Sequence, residues 1–216
     1  MDTNDLVSKL VDDLKPVKQL PSAKCCSVYW SGMAALLVAV AVIVLGGVRP
    51  DFLDVIRRPV FLFENAAMLV AGLLAASVAF QLRVPQAVIT RPIKGLLATA
   101  SAIWVFEVIR CYINAGDLGT EARLDFAHYI HDCLIDLTLI MVIPAAFMFF
   151  MLKKGATTQA LWAGYAALLA TASFAALGMR YLCPVDDPAH LLVWHFLPVL
   201  AYAIIGPVIG RYLLRW

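Results

Sequence analysis

The chain has 216 residues, 62% of them hydrophobic and only 15% charged, with a mean hydropathy of +0.84. Soluble domains run near about 45–50% apolar, so this composition excludes a water-soluble core and leaves no room for a soluble catalytic domain. The net charge of +2 says little, and five cysteines without a CxxC pair do not describe a disulfide framework.

The first 24 residues are polar. They open with Asp2, Asp5, Asp12 and Asp13 and reach an apolar run only near Val28, whereas a cleaved signal begins basic and turns apolar at once. Within them Leu6, Val7, Leu10, Val11 and Leu14 recur at spacings of three and four, one apolar stripe on a helix. Thr3 or Asn4 caps its start, Asp5 favours its positive end, and Pro16 stops it. About a dozen residues make a marginal helix in water. The stripe therefore needs a surface: either the bilayer or a protein groove, the interspersed aspartates favouring the groove.

Six apolar segments follow, expected at 27–47, 61–82, 93–113, 133–152, 158–180 and 189–211. Each has roughly the length a helix needs to cross a hydrocarbon core of about 30 Å. The fold class is thus all-α: a polytopic bundle of six transmembrane helices (27–216) behind a short amphipathic tail helix (1–26). An even number of spans puts both termini on one side. The tail (Lys9, Lys15, Lys18, Lys24), the 82–94 loop (Arg83, Arg91, Lys94), the turn at Lys153 and Lys154, and the end at Arg211 and Arg215 share that side. The other side has Arg49, Arg57, Arg58, Arg110, Arg123 and Arg180, together with all the acids beyond the tail. The positive-inside rule then makes the tail side cytoplasmic. Gly206-x-x-x-Gly210 and Gly72-x-x-x-Ala76 are spacings that let helices approach closely.

The outward stretches hold the chemistry. Cys133 starts the fourth span and Cys183 lies just past the fifth; if those ends pack together, the two thiols come within the reach of a disulfide, less than about 7 Å between Cα atoms. The pair reads as a redox sensor, a static staple, soft-metal ligands, or two unrelated small residues. All four histidines lie in the same stretches, as His128-x-x-His131-x-Cys133 and Cys183-x6-His190-x4-His195. Cys and His are the usual ligands of borderline and soft metals, with Cys133, Cys183, His131 and His190 as candidates, but the spacing matches no named zinc motif. His128 and His131 share a helix face; His190 and His195, five apart, do not on a regular helix. Asp187, before Pro188, is the expected cap of the last span, and His128, His131, Asp187, His190 and His195 form a supporting polar cluster. Glu64, Glu107, Arg110, Asp136 and Arg180 sit at outer helix ends. Such charges face partners inside a bundle, and with the inner halves of the spans almost purely apolar, structural pairing is favoured over transport. Glu107 pairs Arg110; Arg180 answers Asp136 or Glu64. No Walker loop, GxSxG, HExxH or dinucleotide fingerprint is present, so no enzyme and no direct nucleic-acid binding are expected.

The run Asp5-Leu-x-x-x-Leu-x-x-Asp-Leu-x-Pro-Val-x-x-Leu20, the six spans, and Arg180-Tyr-Leu-Cys183-Pro-x-Asp-x-x-x-His190-Leu-Leu-x-Trp194-His195-x-Leu-Pro198 resemble the NrsF-like family, negative regulators of sigma-F. The resemblance covers essentially the whole chain. It implies a six-span anti-sigma factor of the bacterial inner membrane that holds an extracytoplasmic-function sigma factor. It also implies that Cys133 and Cys183 are the sensing pair, that Leu6, Leu10, Asp13, Leu14 and Pro16 contact sigma, and that no cofactor is required beyond a heavy-metal ion acting as signal. A membrane thiol-disulfide oxidoreductase and a small metal transporter are the rival readings.

Overall fold

A computed structural model describes residues 2–12, 20–115 and 133–215; within 2–12 the side chains of Asn4, Leu6, Lys9, Leu10 and Asp12 are not described. The described residues are helical, without strands: α1 (Thr3–Asp12), α2 (Ala23–Leu45), the short α3 (Phe52–Val55), α4 (Pro59–Gln81), α5 (Arg91–Asn114), α6 (Ile135–Lys153), α7 (Ala160–Leu182) and α8 (Pro188–Leu213). Six of them, all but α1 and α3, are long and apolar enough to cross a membrane. Local chemistry sets their starts. Ser22 caps α2 by accepting from the Cys25 N–H at 3.2 Å, and prolines occupy the first turns of α4, α5 and α8, where a missing N–H costs nothing.

Helix α7 is the axis. Its central window is 72% buried, against 28–44% for the other five, and α2, α4, α6 and α8 all pack on it. Composition explains this position: α7 is rich in Ala, Gly, Ser and Thr, and small side chains let neighbours approach from every direction. A Cβ on Gly206 of α8 would lie 2.6 Å from the Gly164 carbonyl oxygen of α7, and one on Gly164 would lie 2.7 Å from the Gly210 Cα. The Gly206-x-x-x-Gly210 spacing is thus spent inside the chain, on the α7–α8 crossing. Gly206→Leu is expected to lower the melting temperature in detergent, by the ~1–3 kcal/mol typical of overpacking. Gly72 serves the same purpose toward Phe174, whose ring a Cβ would meet at 3.0–3.1 Å.

Around this axis α2 is pinned by Trp30, which is fully buried, stacks edge-on with Phe174 and donates its indole N–H to the Pro144 carbonyl at 3.2 Å. In α1 the described apolar residues of the stripe, Val7 and Val11, are 53% and 57% exposed. Asp13, Leu14 and Pro16 lie outside the described residues, as do His128 and His131.

Candidate metal centre

At the end of the bundle away from the tail, the start of α6, the end of α7 and the start of α8 converge. Cys133 lies two residues before α6, Cys183 immediately follows α7, and His190 and His195 lie on the first turns of α8. Four side chains meet there: one ligand atom from each of Cys133, Cys183, His190 and His195 lies within 4.8 Å of all the others, and all four residues are buried. The two Sγ atoms are 3.8 Å apart, and the His190 Nε2 is 3.5 Å from each. No disulfide joins the two thiols. A tetrahedral ion with metal–sulfur bonds of about 2.3 Å and metal–nitrogen bonds of about 2.0–2.1 Å separates sulfurs by about 3.8 Å and sulfur from nitrogen by about 3.5 Å. The donor set therefore fits a Cys2His2 metal in both chemistry and spacing. His195 is fully buried, and neither of its ring nitrogens makes a regular hydrogen bond among the described residues. An imidazole left in that state is costly unless something binds it.

The expectation that His190 and His195 cannot share a face is overturned. Their rings lie edge to face with centroids 5.2 Å apart. The reason is the segment between them: Leu191–Phe196 is π-helical, and i→i+5 bonding places residues five apart on one side. Pro198, two residues beyond that segment, has no N–H for a regular turn. His195 thereby joins the candidate ligands, and His131, expected among them, lies outside the described residues. The Asp187 carboxylate accepts the His190 N–H at 2.9 Å and caps α8, so Asp187→Ala is expected to cost about 0.5–2 kcal/mol in a thermal melt and to weaken metal binding with it. Electrostatics favour the thiolate. The hydrogen bond with Cys133, and after it contacts with His190 and His195, outweigh burial and hold the Cys183 thiol well below its usual range.

The loop carrying Cys183 is held by charge. Arg49, just past α2, has a fully buried side chain that donates to both Asp186 oxygens at 2.9 Å, to Asp51 at 2.7 and 2.9 Å, and to the Pro184 carbonyl at 2.9 Å. Its backbone N–H donates to the Tyr181 carbonyl at 2.8 Å. Asp186 also receives Arg180 at 3.0 Å and Arg58 at 3.3 Å. Burial raises the Asp186 pKa, but the Arg49 hydrogen bonds and the charges of Arg180 and Arg49 outweigh it and leave the carboxyl below its ordinary 3.8. A depressed carboxyl contributes stability above its unfolded pKa and loses it only as pH falls through the folded one, so this tie persists at neutral and mildly acidic pH. Deeper in the bundle Arg180 meets Glu64 at 2.8 Å; Glu64 also pairs with Arg110, which reaches Glu107 at 2.9 Å. The belt is thus a ladder of structural pairs. Glu64 and Asp186 both answer Arg180. Arg49 was not singled out as a partner from the sequence: only its place beside a Pro-Asp turn at a span end hinted at a role, and its partner lies 137 residues away.

The model of one protein family, described as negative regulator of sigma F, matches residues 10–216. The chain belongs to that family. No curated protein and no solved structure matches it. The negative regulator of sigma F match takes in all four converging ligands and the arginine–carboxylate ladder, and starts within α1, between Leu6 and Leu14.

Proposed function

We propose that the protein is an anti-sigma factor of the bacterial inner membrane, with both chain ends cytoplasmic. Its tail holds an extracytoplasmic-function sigma factor, and release follows when the outward-facing Cys133, Cys183, His190 and His195 capture a heavy-metal ion or when the two thiols are oxidised. The observation that carries this reading is the four-residue set: the 3.8 and 3.5 Å separations among Cys133, Cys183 and His190 suit a tetrahedral thiophilic metal, and a His195 nitrogen lies within 4.8 Å of each of the three. Family membership supplies the sigma factor, and the exposed Val7 and Val11 leave α1 a face to offer it.

The energies are adequate. Moving a two-state equilibrium from 99:1 to 1:99 needs about 5.5 kcal/mol of differential binding, and structural zinc sites contribute about 10–16 kcal/mol. In the oxidative route the two thiols lose two electrons and two protons to an envelope oxidant and form one S–S bond. Arg49 offers the path inward: it ties the Cys183 loop to the end of α2, and α2 continues into the tail. Removing residues 2–20 is expected to abolish co-purification of sigma with the membrane protein while insertion is retained. Undiminished co-purification by the shortened protein would sink the proposal.

A further inference from the structure

At the tail-side end of the bundle, Arg83 is 3% exposed. Among the described residues the other buried arginines and carboxylates, Arg49, Glu64, Glu107 and Arg180, are all ion-paired. Arg83 has no carboxylate partner there. Its guanidinium donates to the Pro21 carbonyl at 2.7 Å and to the Cys26 sulfur at 3.1 Å, and its Nε has no hydrogen-bond partner among the described residues. The stem is fixed as well: a Cβ on Gly155 would lie 2.8 Å from the Arg83 Cδ, so the absent side chain is the space the arginine fills. A buried, immobilised cation without a counter-charge is strongly unfavourable on its own.

Arg83 lines a cavity of about 650 Å³ between the foot of α2 and the end of α6, together with Pro21, Tyr29, Phe147, Phe150 and Lys154. Among the described residues no acidic side chain lines it. The Lys154 ammonium stands 4.2 Å above the Phe150 ring, a second cation at the same mouth. Tyr29 and Phe150 are 56% and 58% exposed on the surface that faces lipid. A pair of cations over aromatic walls at a helix end suits a phosphate whose attached chains continue along the bundle.

We propose that this cavity binds a phosphate group, carried by the headgroup of an anionic phospholipid in the tail-side leaflet. Because the same guanidinium holds Pro21 and Cys26, the bound headgroup fixes the root of the tail. The proposal stands independently of the metal centre.

The test uses the delipidated full-length protein in an uncharged detergent, titrated separately with dihexanoyl phosphatidylglycerol, dihexanoyl phosphatidylcholine and inorganic phosphate, with adducts read by native mass spectrometry. Phosphatidylglycerol is expected to bind at least tenfold tighter than phosphatidylcholine, and inorganic phosphate to compete with it. Lys154→Gln is expected to weaken phosphatidylglycerol binding about fivefold without moving the melting temperature. Inorganic phosphate binding as tightly as the lipid would support the site and assign it to the free ion. Equal affinity for the two lipids, or phosphatidylglycerol binding untouched by Lys154→Gln, would overturn the proposal.

Discussion

Replacing Cys133 and Cys183 together by serine is expected to abolish metal capture and, with it, signal-dependent release of the sigma factor, while the six helices still insert. Serine keeps the size and removes the soft donor. Cys183 closes α7 through its backbone N–H, which serine keeps, and the ladder and the α7–α8 crossing are built from other residues. With both sulfurs gone, only two imidazoles remain of four ligands, a set too weak for a structural site. His195→Ala removes one ligand of four; a quarter of the roughly 10–16 kcal/mol such sites yield is about 3 kcal/mol, on the order of 100-fold in affinity. Titration with cobalt(II), whose sulfur-to-metal absorption reports thiolate coordination, measures both variants. Parent-like cobalt spectra from the double variant would show that the thiols are not ligands. A parent-like affinity in His195→Ala would restrict the site to the other three.

Glu64→Ala is expected to destabilise the bundle by about 3–5 kcal/mol, the largest single-site loss on the distal side. Glu64 is 2% exposed and stands between Arg110 and Arg180, the latter 3% exposed. Removing it leaves two cations facing each other in a setting with little water. Glu107 and Asp186 still answer one arginine each, which keeps the loss finite. Thermal unfolding in detergent reads the effect, and Glu64→Gln, which keeps the shape and a hydrogen-bonding oxygen, is expected to recover only part of it. A melt within a degree or two of the parent in Glu64→Ala would mean that the two arginines find water instead.

Much of this architecture was legible in residue order. Apolar runs of span length set the helices, and the expected ranges fall within a few residues of those observed: α2 runs Ala23–Leu45 where 27–47 was expected, and α7 runs Ala160–Leu182 where 158–180 was. Prolines and serine at helix starts shift the edges, because hydropathy does not see caps. The Cys133 and Cys183 thiols stood out for their common depth, and His190 for lying in the same outward stretches as the other three histidines. His195 did not, since a spacing of five was judged against 3.6 residues per turn and the π-helical turn at Leu191–Phe196 changes that phase. The Arg49–Asp186 pair was invisible for another reason: it joins residues 137 apart through a tertiary approach that no periodicity records. The same holds for α7 as the axis. Its run of Ala, Gly, Ser and Thr, in which no spacing motif was singled out, marks one helix surrounded by four others.

That the axis is the fifth of six spans has a consequence for how the protein comes into being. Chains enter the bilayer in order of synthesis, so α2, α4, α5 and α6 are inserted before the helix on which three of them pack exists. Until then α2 can meet α4 and α6 directly, but the faces reserved for α7, with Trp30 and Gly72 among them, are turned to lipid. Lipid tails are as apolar as those faces and impose no urgency, which is why a bundle can wait for its own centre. The last step is the docking of α8 across Gly164, and that step also delivers His190 and His195 to the two cysteines. The Cys133, Cys183, His190 and His195 cluster is therefore complete only when the whole membrane domain is, so a protein cut short in synthesis carries thiols without the imidazoles that meet them.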